Sequence, residues 1–160
     1  REFLDGNPHL YVMKSISKSY GVPGLRLGVL ASGDIAAIAS MKKDVPIWNI
    51  NSFAEFYMQI EEKYGSDYAA ALVKIRTERA RFAGELGKID GIRVIPSQAN
   101  FIMVELKNAE PKELLKALLF KHQLLIKDLT SKTGGRYLRI AVRNTEDNDM
   151  LIKALKEELG

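Results

Sequence analysis

Cysteine is absent from the chain, which excludes a disulfide framework, a thiolate metal site and a cysteine nucleophile. That absence fits a reducing cytoplasm, the localisation expected here, and leaves open a secreted protein that lacks the residue. Histidine is scarce: His9 and His122 have no second His and no paired carboxylate at ligand spacing. No metal site is therefore expected, and both histidines read as surface or capping residues. Long apolar runs are also missing, and the opening REFLDGNPHL has neither the basic start nor the apolar centre of a signal peptide. No membrane segment is expected. Glycine and proline, 12 and 5 residues, are too few for a low-complexity chain. The 24 basic and 20 acidic residues are scattered, so the net charge of +4 gives no reason to expect a nucleic-acid partner.

What is present is a globular composition, 46% hydrophobic and 28% charged over 160 residues. That length suits one ordinary domain, or a small domain with the remnant of another, and excludes two complete large domains. Because the chain starts at Arg1 instead of Met, it is expected to be a piece whose upstream neighbour is missing. The turn residues Asp5 to Pro8 precede Leu10 to Met13, which reads as a buried strand, and Leu25 to Ala31 reads as a second. Ile35 to Met41 has helical spacing. Asn51 or Ser52 can cap a helix carrying Phe53, Phe56, Tyr57, Ile60 and Tyr64. Gly65 and Ser66 interrupt the pattern, which resumes from Tyr68 to Leu86, so one long kinked helix or two in succession are expected. Beyond Gly91 the period changes. Ile92 to Ile95, Asn100 to Leu106, Leu124 to Asp128 and Tyr137 to Val142 read as strands. Pro111 opens one helix, and Thr145 is expected to cap the last, with Asn148 at its third position and a lysine-rich solvated face.

The segment SISKSYGVPGLRLG, residues 15 to 28, stands where the first strand ends. A lysine in such a place is ordinarily a solvated surface residue. Here Lys18 has company: an amine can condense with an aldehyde cofactor, while hydroxyls at Ser15 and Ser17 and the planar fork of Arg26 suit phosphate oxygens. Gly21 and Gly24 permit the reversal that brings them together.

This segment resembles the lysine motif of fold type I pyridoxal phosphate aminotransferases, class I and II. In that motif Ser-x-Ser-Lys, a short glycine-containing loop and Gly-x-Arg-x-Gly stand at this spacing. The resemblance runs on through SQANF (97 to 101), LIKD (125 to 128), YLRIA (137 to 141) and EDN (146 to 148). The nearest branch resembles histidinol-phosphate aminotransferase and threonine-phosphate decarboxylase. It implies pyridoxal 5'-phosphate as cofactor, with Lys18 forming the Schiff base and shuttling protons, and with Ser15, Ser17 and Arg26 holding the phosphate. Arg139 is implied to bind the anionic end of the substrate, Arg143 to be a weaker second, and Asn100 to lie near the carboxylate or phosphate. Relatives usually carry arginine where this chain has Lys127, which replaces a bidentate fork by a point charge and leaves the substrate open. The PIWNIN segment (46 to 51) and the Ala-Val-Arg143 run stand nearer the decarboxylase branch.

The fold class implied is α/β: residues 1–48 a remnant of the large cofactor-binding domain, 49–89 a linking helix region, and 90–160 a small α+β domain. Trp48, Phe53, Phe56 and Tyr57 are expected to pack between domains. The glycine-rich loop, the stacking aromatic and the aspartate for the pyridine nitrogen are expected upstream of Arg1, so the piece alone is expected to be inactive. The implied partners are an amino acid or amino phosphate and, for the intact enzyme, a second copy in a homodimer. Three functions stay open: amino-group transfer to a 2-oxo acid, decarboxylation on the same lysine, and an isolated small domain without catalysis.

Overall fold

The computed structural model describes residues 2–160. It mixes helices with two small sheets, as the expected α/β class requires, and falls into two compact units that meet in sequence between Tyr68 and Ala69.

In the first unit, α1 (Glu2–Asp5) leads to β1 (Tyr11–Lys14), which pairs antiparallel with β2 (Val29–Ser32). Between them lie α2 (Ile16–Ser19) and a 3-10 turn (Pro23–Leu25). The strand expected over Leu25 to Ala31 is thus corrected: Pro23 presets a turn, Arg26 follows in the left-handed region at φ 57°, and pairing starts only at Val29. The burial expected for Leu10 to Met13 is corrected too. A run of apolar residues suits a strand covered on both faces, yet within its unit this two-stranded ribbon leaves Tyr11, Val12 and Met13 exposed. Next comes α3 (Ile35–Asp44), capped by the Asp34 carboxylate on the Ala37 amide. Asn51, rather than Ser52, caps α4 (Ser52–Ile60). A 3-10 turn (Glu61–Tyr64) separates α4 from α5 (Gly65–Leu86), so two helices in succession replace one kinked helix. Trp48 and Phe53 are exposed, 89% and 79%, and so is Phe56; Tyr57 meets the ring of Tyr20 edge-on.

In the second unit, β3 (Ile92–Ile95), β4 (Phe101–Leu106), β5 (Lys127–Asp128) and β6 (Tyr137–Ala141) form one antiparallel sheet in the order β3-β4-β6-β5. Alternation decides its two faces. Ile102, Val104, Leu138 and Ile140 point into a core shared with Phe82 and Leu86 of α5, with Leu114 and Leu118 of α6 (Pro111–His122), and with Leu151 and Leu155 of α8 (Thr145–Leu159). Phe101 and Arg139 take the opposite phase and stay outside that core. The strand expected from Leu124 shrinks to two residues, because Leu124 gives its amide to Leu118 at the end of α6. The loop expected over Thr130 to Gly135 contains a short helix, α7 (Thr130–Thr133). The cap of α8 is Asn144, whose side chain accepts from the Asp147 amide, and Thr145 is the first helical residue.

Candidate active site

Lys18 lies on α2, one residue beyond Ser17, in a turn closed by unusually many bonds to one partner. The Ser17 amide gives 3.1 Å to the Leu27 carbonyl, and the Ser17 hydroxyl both donates to that carbonyl and accepts from the Leu27 amide. Val22 returns its amide to the Ser17 carbonyl at 2.8 Å. Ser17 is only 2% exposed. The hydroxyl expected from the sequence to meet a phosphate is thus bonded here to both the carbonyl and the amide of Leu27. Ser15, at the start of α2, makes no side-chain cap bond.

Around the same turn Met13, Lys14, Ser15, Ser17, Lys18, Arg26, Leu27 and Gly28 line a hollow of about 400 Å³. At Gly28 a β-carbon would come to 3.4 Å from the Lys14 carbonyl oxygen, an ordinary contact. Lys18 and Arg26, eight residues apart in sequence, thus line one hollow. A reactive amine with a hydroxyl and a guanidinium beside it is the donor set for an aldehyde that carries a phosphate. These residues fit pyridoxal phosphate at its aldehyde and phosphate ends. Helices α4 and α5 brace the turn. Tyr20 stacks on Tyr68 with ring centroids 4.3 Å apart, the Tyr68 hydroxyl donates to the Ser19 carbonyl at 3.0 Å, and the Asn51 amide group donates to the Leu25 carbonyl at 3.0 Å. Sequence reasoning treated Asn51 only as a cap and Tyr68 only as a helix residue; nothing in their spacing pointed to the lysine turn.

The second unit has a separate hollow of about 650 Å³, where Lys127 and Arg139 join Lys112, Lys116 and Asp128 around an apolar lining that includes Leu115 and Leu119. Lys127 and Arg139 are direct cross-strand partners, a like-charge pair that costs stability unless an anion intervenes. Arg139 has its guanidinium carbon 5.3 Å from the Phe101 ring centroid, a cation–π geometry. Asp128 sits beside Lys127. Its carboxylate accepts from the amide and hydroxyl of Thr130, and the Thr130 hydroxyl bond, foremost, holds it below the usual carboxylate range, with the Lys127 charge a lesser cause. Lys112 and Lys116 were not foreseen. Their spacing puts them on one face of α6, but which strand edge that face meets is a tertiary fact.

Arg143 is placed apart from this cluster. It lines a neighbouring hollow of about 330 Å³ and its Nε donates 2.6 Å to the Asp147 carboxylate. Asn100 is exposed and gives its backbone carbonyl to the Val142 amide at 2.9 Å. Among the described residues no group of three or more His, Cys, Asp or Glu could hold a metal ion, and no helix is long and apolar enough to cross a membrane.

The chain resembles several known proteins along nearly all its length. It is 34% identical to the CMP-5'-(3-aminopropyl)phosphonate synthase of Streptomyces rubellomurinus, covering 99% of this chain and 26% of that protein. It is 32% identical to the threonine-phosphate decarboxylase of Salmonella typhimurium, covering 98% and 43%. The crystal structure of histidinol-phosphate aminotransferase from Clostridium acetobutylicum superposes with a TM-score of 0.87 at 29% identity, covering 98% of this chain and 48% of that one. The chain thus spans less than half the length of each. Aminotransferases and phosphate decarboxylases both occur among such relatives, and the family they share depends on pyridoxal phosphate. The family model for aminotransferase class I and II matches residues 1–155, and the chain belongs to that family.

Proposed function

We propose that the chain is the lysine-bearing part of a pyridoxal-phosphate-dependent aminotransferase of the histidinol-phosphate kind. Such an enzyme moves an amino group between an amino acid or amino phosphate and a 2-oxo acid. In this reading residues 1–48 belong to the large domain, 49–89 link, and 90–160 form the small domain. The observation that carries it is the meeting of Lys18, Ser15 and Arg26 around one hollow. When bound, the cofactor supplies an electron-withdrawing ring beside the substrate carbon. Arg26 clamps the phosphate with its planar fork and Ser15 donates its hydroxyl proton to it. Lys18 would hold the aldehyde end, and its amine would take and return a proton at the substrate carbon that bears nitrogen. Arg139, steadied on Phe101, and Lys127 hold the anionic end of the substrate. Asn100 adds a polar contact, and Arg143 contributes if its pair with Asp147 opens. The intact enzyme is proposed to be a cytoplasmic homodimer.

A second reading keeps every one of these residues and removes the substrate carboxylate, as the likeness to threonine-phosphate decarboxylase supports. The two readings differ in which bond at the substrate carbon would be broken, the one to hydrogen or the one to the carboxylate. The intact parent enzyme should be given phosphorylated amino acids with and without a 2-oxo acid. Amino-group transfer predicts a new 2-oxo product that requires the acceptor and is lost in Lys18→Ala. Carbon dioxide released without an acceptor would establish the second reading instead.

A further inference from the structure

The Ser17 hydroxyl is buried and bonded twice to Leu27, the neighbour of Arg26. Arg26 stands at φ 57°, a backbone region that L-residues other than Asn and Asp enter rarely. Nothing in Arg26 itself favours that conformation. What holds it is the closure of the turn on both sides: the 3-10 turn Pro23–Leu25 before it, and after it the amide and carbonyl of Leu27, both fixed by Ser17. Ser17 also adjoins Lys18 in the chain, so one side chain sets the register between the amine and the guanidinium.

From this geometry we infer that Ser17 is a positioning residue: its hydroxyl presents Arg26 to the cofactor phosphate by clamping Leu27, and does not itself touch the phosphate. The inference rests on the proposed cofactor role of Lys18. Alanine at position 17 removes the only side-chain partner of a buried amide, so the turn relaxes and Arg26 leaves the left-handed region. The phosphate then loses its clamp although every phosphate ligand is still in the chain.

A double-substitution cycle with two probes separates a clamp from a ligand. Pyridoxal phosphate and unphosphorylated pyridoxal are each added to the chain. Condensation of the Lys18 amine with the aldehyde releases water, and hydride from added borohydride then reduces the carbon–nitrogen double bond, leaving a stable pyridoxyl mark. Peptide mass spectrometry reads the extent at Lys18. The quantity compared is the ratio of phosphorylated to unphosphorylated labelling, normalised to the same ratio on a free lysine derivative.

Arg26→Ala is expected to lower this ratio about tenfold to a hundredfold, the size of one lost charge-assisted hydrogen bond. Ser17→Ala should lower it comparably, and the double variant no further than Arg26→Ala alone. Ser17→Cys, close in size with a weaker bond, should fall between wild type and Ser17→Ala, which excludes simple loss of folding as the cause. Losses that multiply in the double variant would mean that Ser17 binds phosphate directly and would overturn the inference. So would a ratio unchanged in Ser17→Ala. A wild-type ratio equal to that of free lysine, unaffected by Arg26→Ala, would instead remove the cofactor reading beneath it.

Discussion

Glu78 gathers more polar partners than any other carboxylate of the second unit. Its oxygens accept from Arg81, from the Asn148 amide at 2.8 Å and from the Thr145 hydroxyl at 3.0 Å. Asn148, 2% exposed, in turn accepts from the Arg143 amide and donates to the Arg143 carbonyl, so the turn after β6 hangs on this pair. Glu78→Ala leaves the Asn148 amide group short of a partner and should cost roughly 1–3 kcal/mol in urea unfolding. The Arg81 hydrogen bond, foremost, holds the Glu78 carboxyl at about 2 from a usual 4.5, against the opposing effect of burial. The pH consequence has a definite sign. An unfolded Glu78 takes up its proton first, so its stabilisation is complete above about 4.5 and is lost as pH falls from there toward about 2. Glu78→Gln should flatten the acid limb of stability against pH over that interval; an identical limb in both proteins would rule the effect out. Lys18 stood out in the sequence because the chemistry proposed for it fixes its company at a set spacing, and Ser15, Ser17 and Arg26 line the same hollow. The burial of Ser17 was not legible, because a serine beside that lysine suits a phosphate as well as a backbone clamp.

At the level of elements, periodicity located the longer helices, and the apolar stripes of α5, α6 and α8 face the core of the second unit. It failed where backbone partners override apolar sequence. Leu25 to Ala31 has the composition of a strand, yet Ser17 and Pro23 take its first half into a turn. Leu124 to Asp128 loses its first half to the end of α6. The start of α4 holds two functions in one residue, because Asn51 accepts from Ala54 with its oxygen and donates to Leu25 with its nitrogen. Asn51→Asp keeps the cap and removes the donor, whereas Asn51→Ala loses both. Melting curves should place the aspartate variant between wild type and alanine, with the alanine variant about 1 kcal/mol or more below wild type. Equal losses would assign all the effect to the tie with Leu25. For the sheet, Leu138 is fully buried opposite Val104, and Leu138→Ala should cost roughly 2–5 kcal/mol by the cavity it opens. A cost below about 1 kcal/mol would place this strand outside the cooperative core.

For the whole molecule, the two units divide the chemistry: the first carries the lysine turn and its hollow, the second a cationic hollow beside β5. The strands of the second unit could be expected from the chain, because the apolar period shifts after Gly91, whereas the compact units meet in sequence earlier, between Tyr68 and Ala69. That Lys127 and Arg139 lie directly across from each other could not be expected, since register is set by pairing and not by composition. The central claim is that Lys18 holds pyridoxal phosphate, and a spectrophotometric titration tests it most directly. Adding the cofactor to the intact protein should give a saturable shift of its visible band. The shift should vanish in Lys18→Ala and weaken in Arg26→Ala. A shift of equal size in Lys18→Ala would place the cofactor on another amine and contradict the claim.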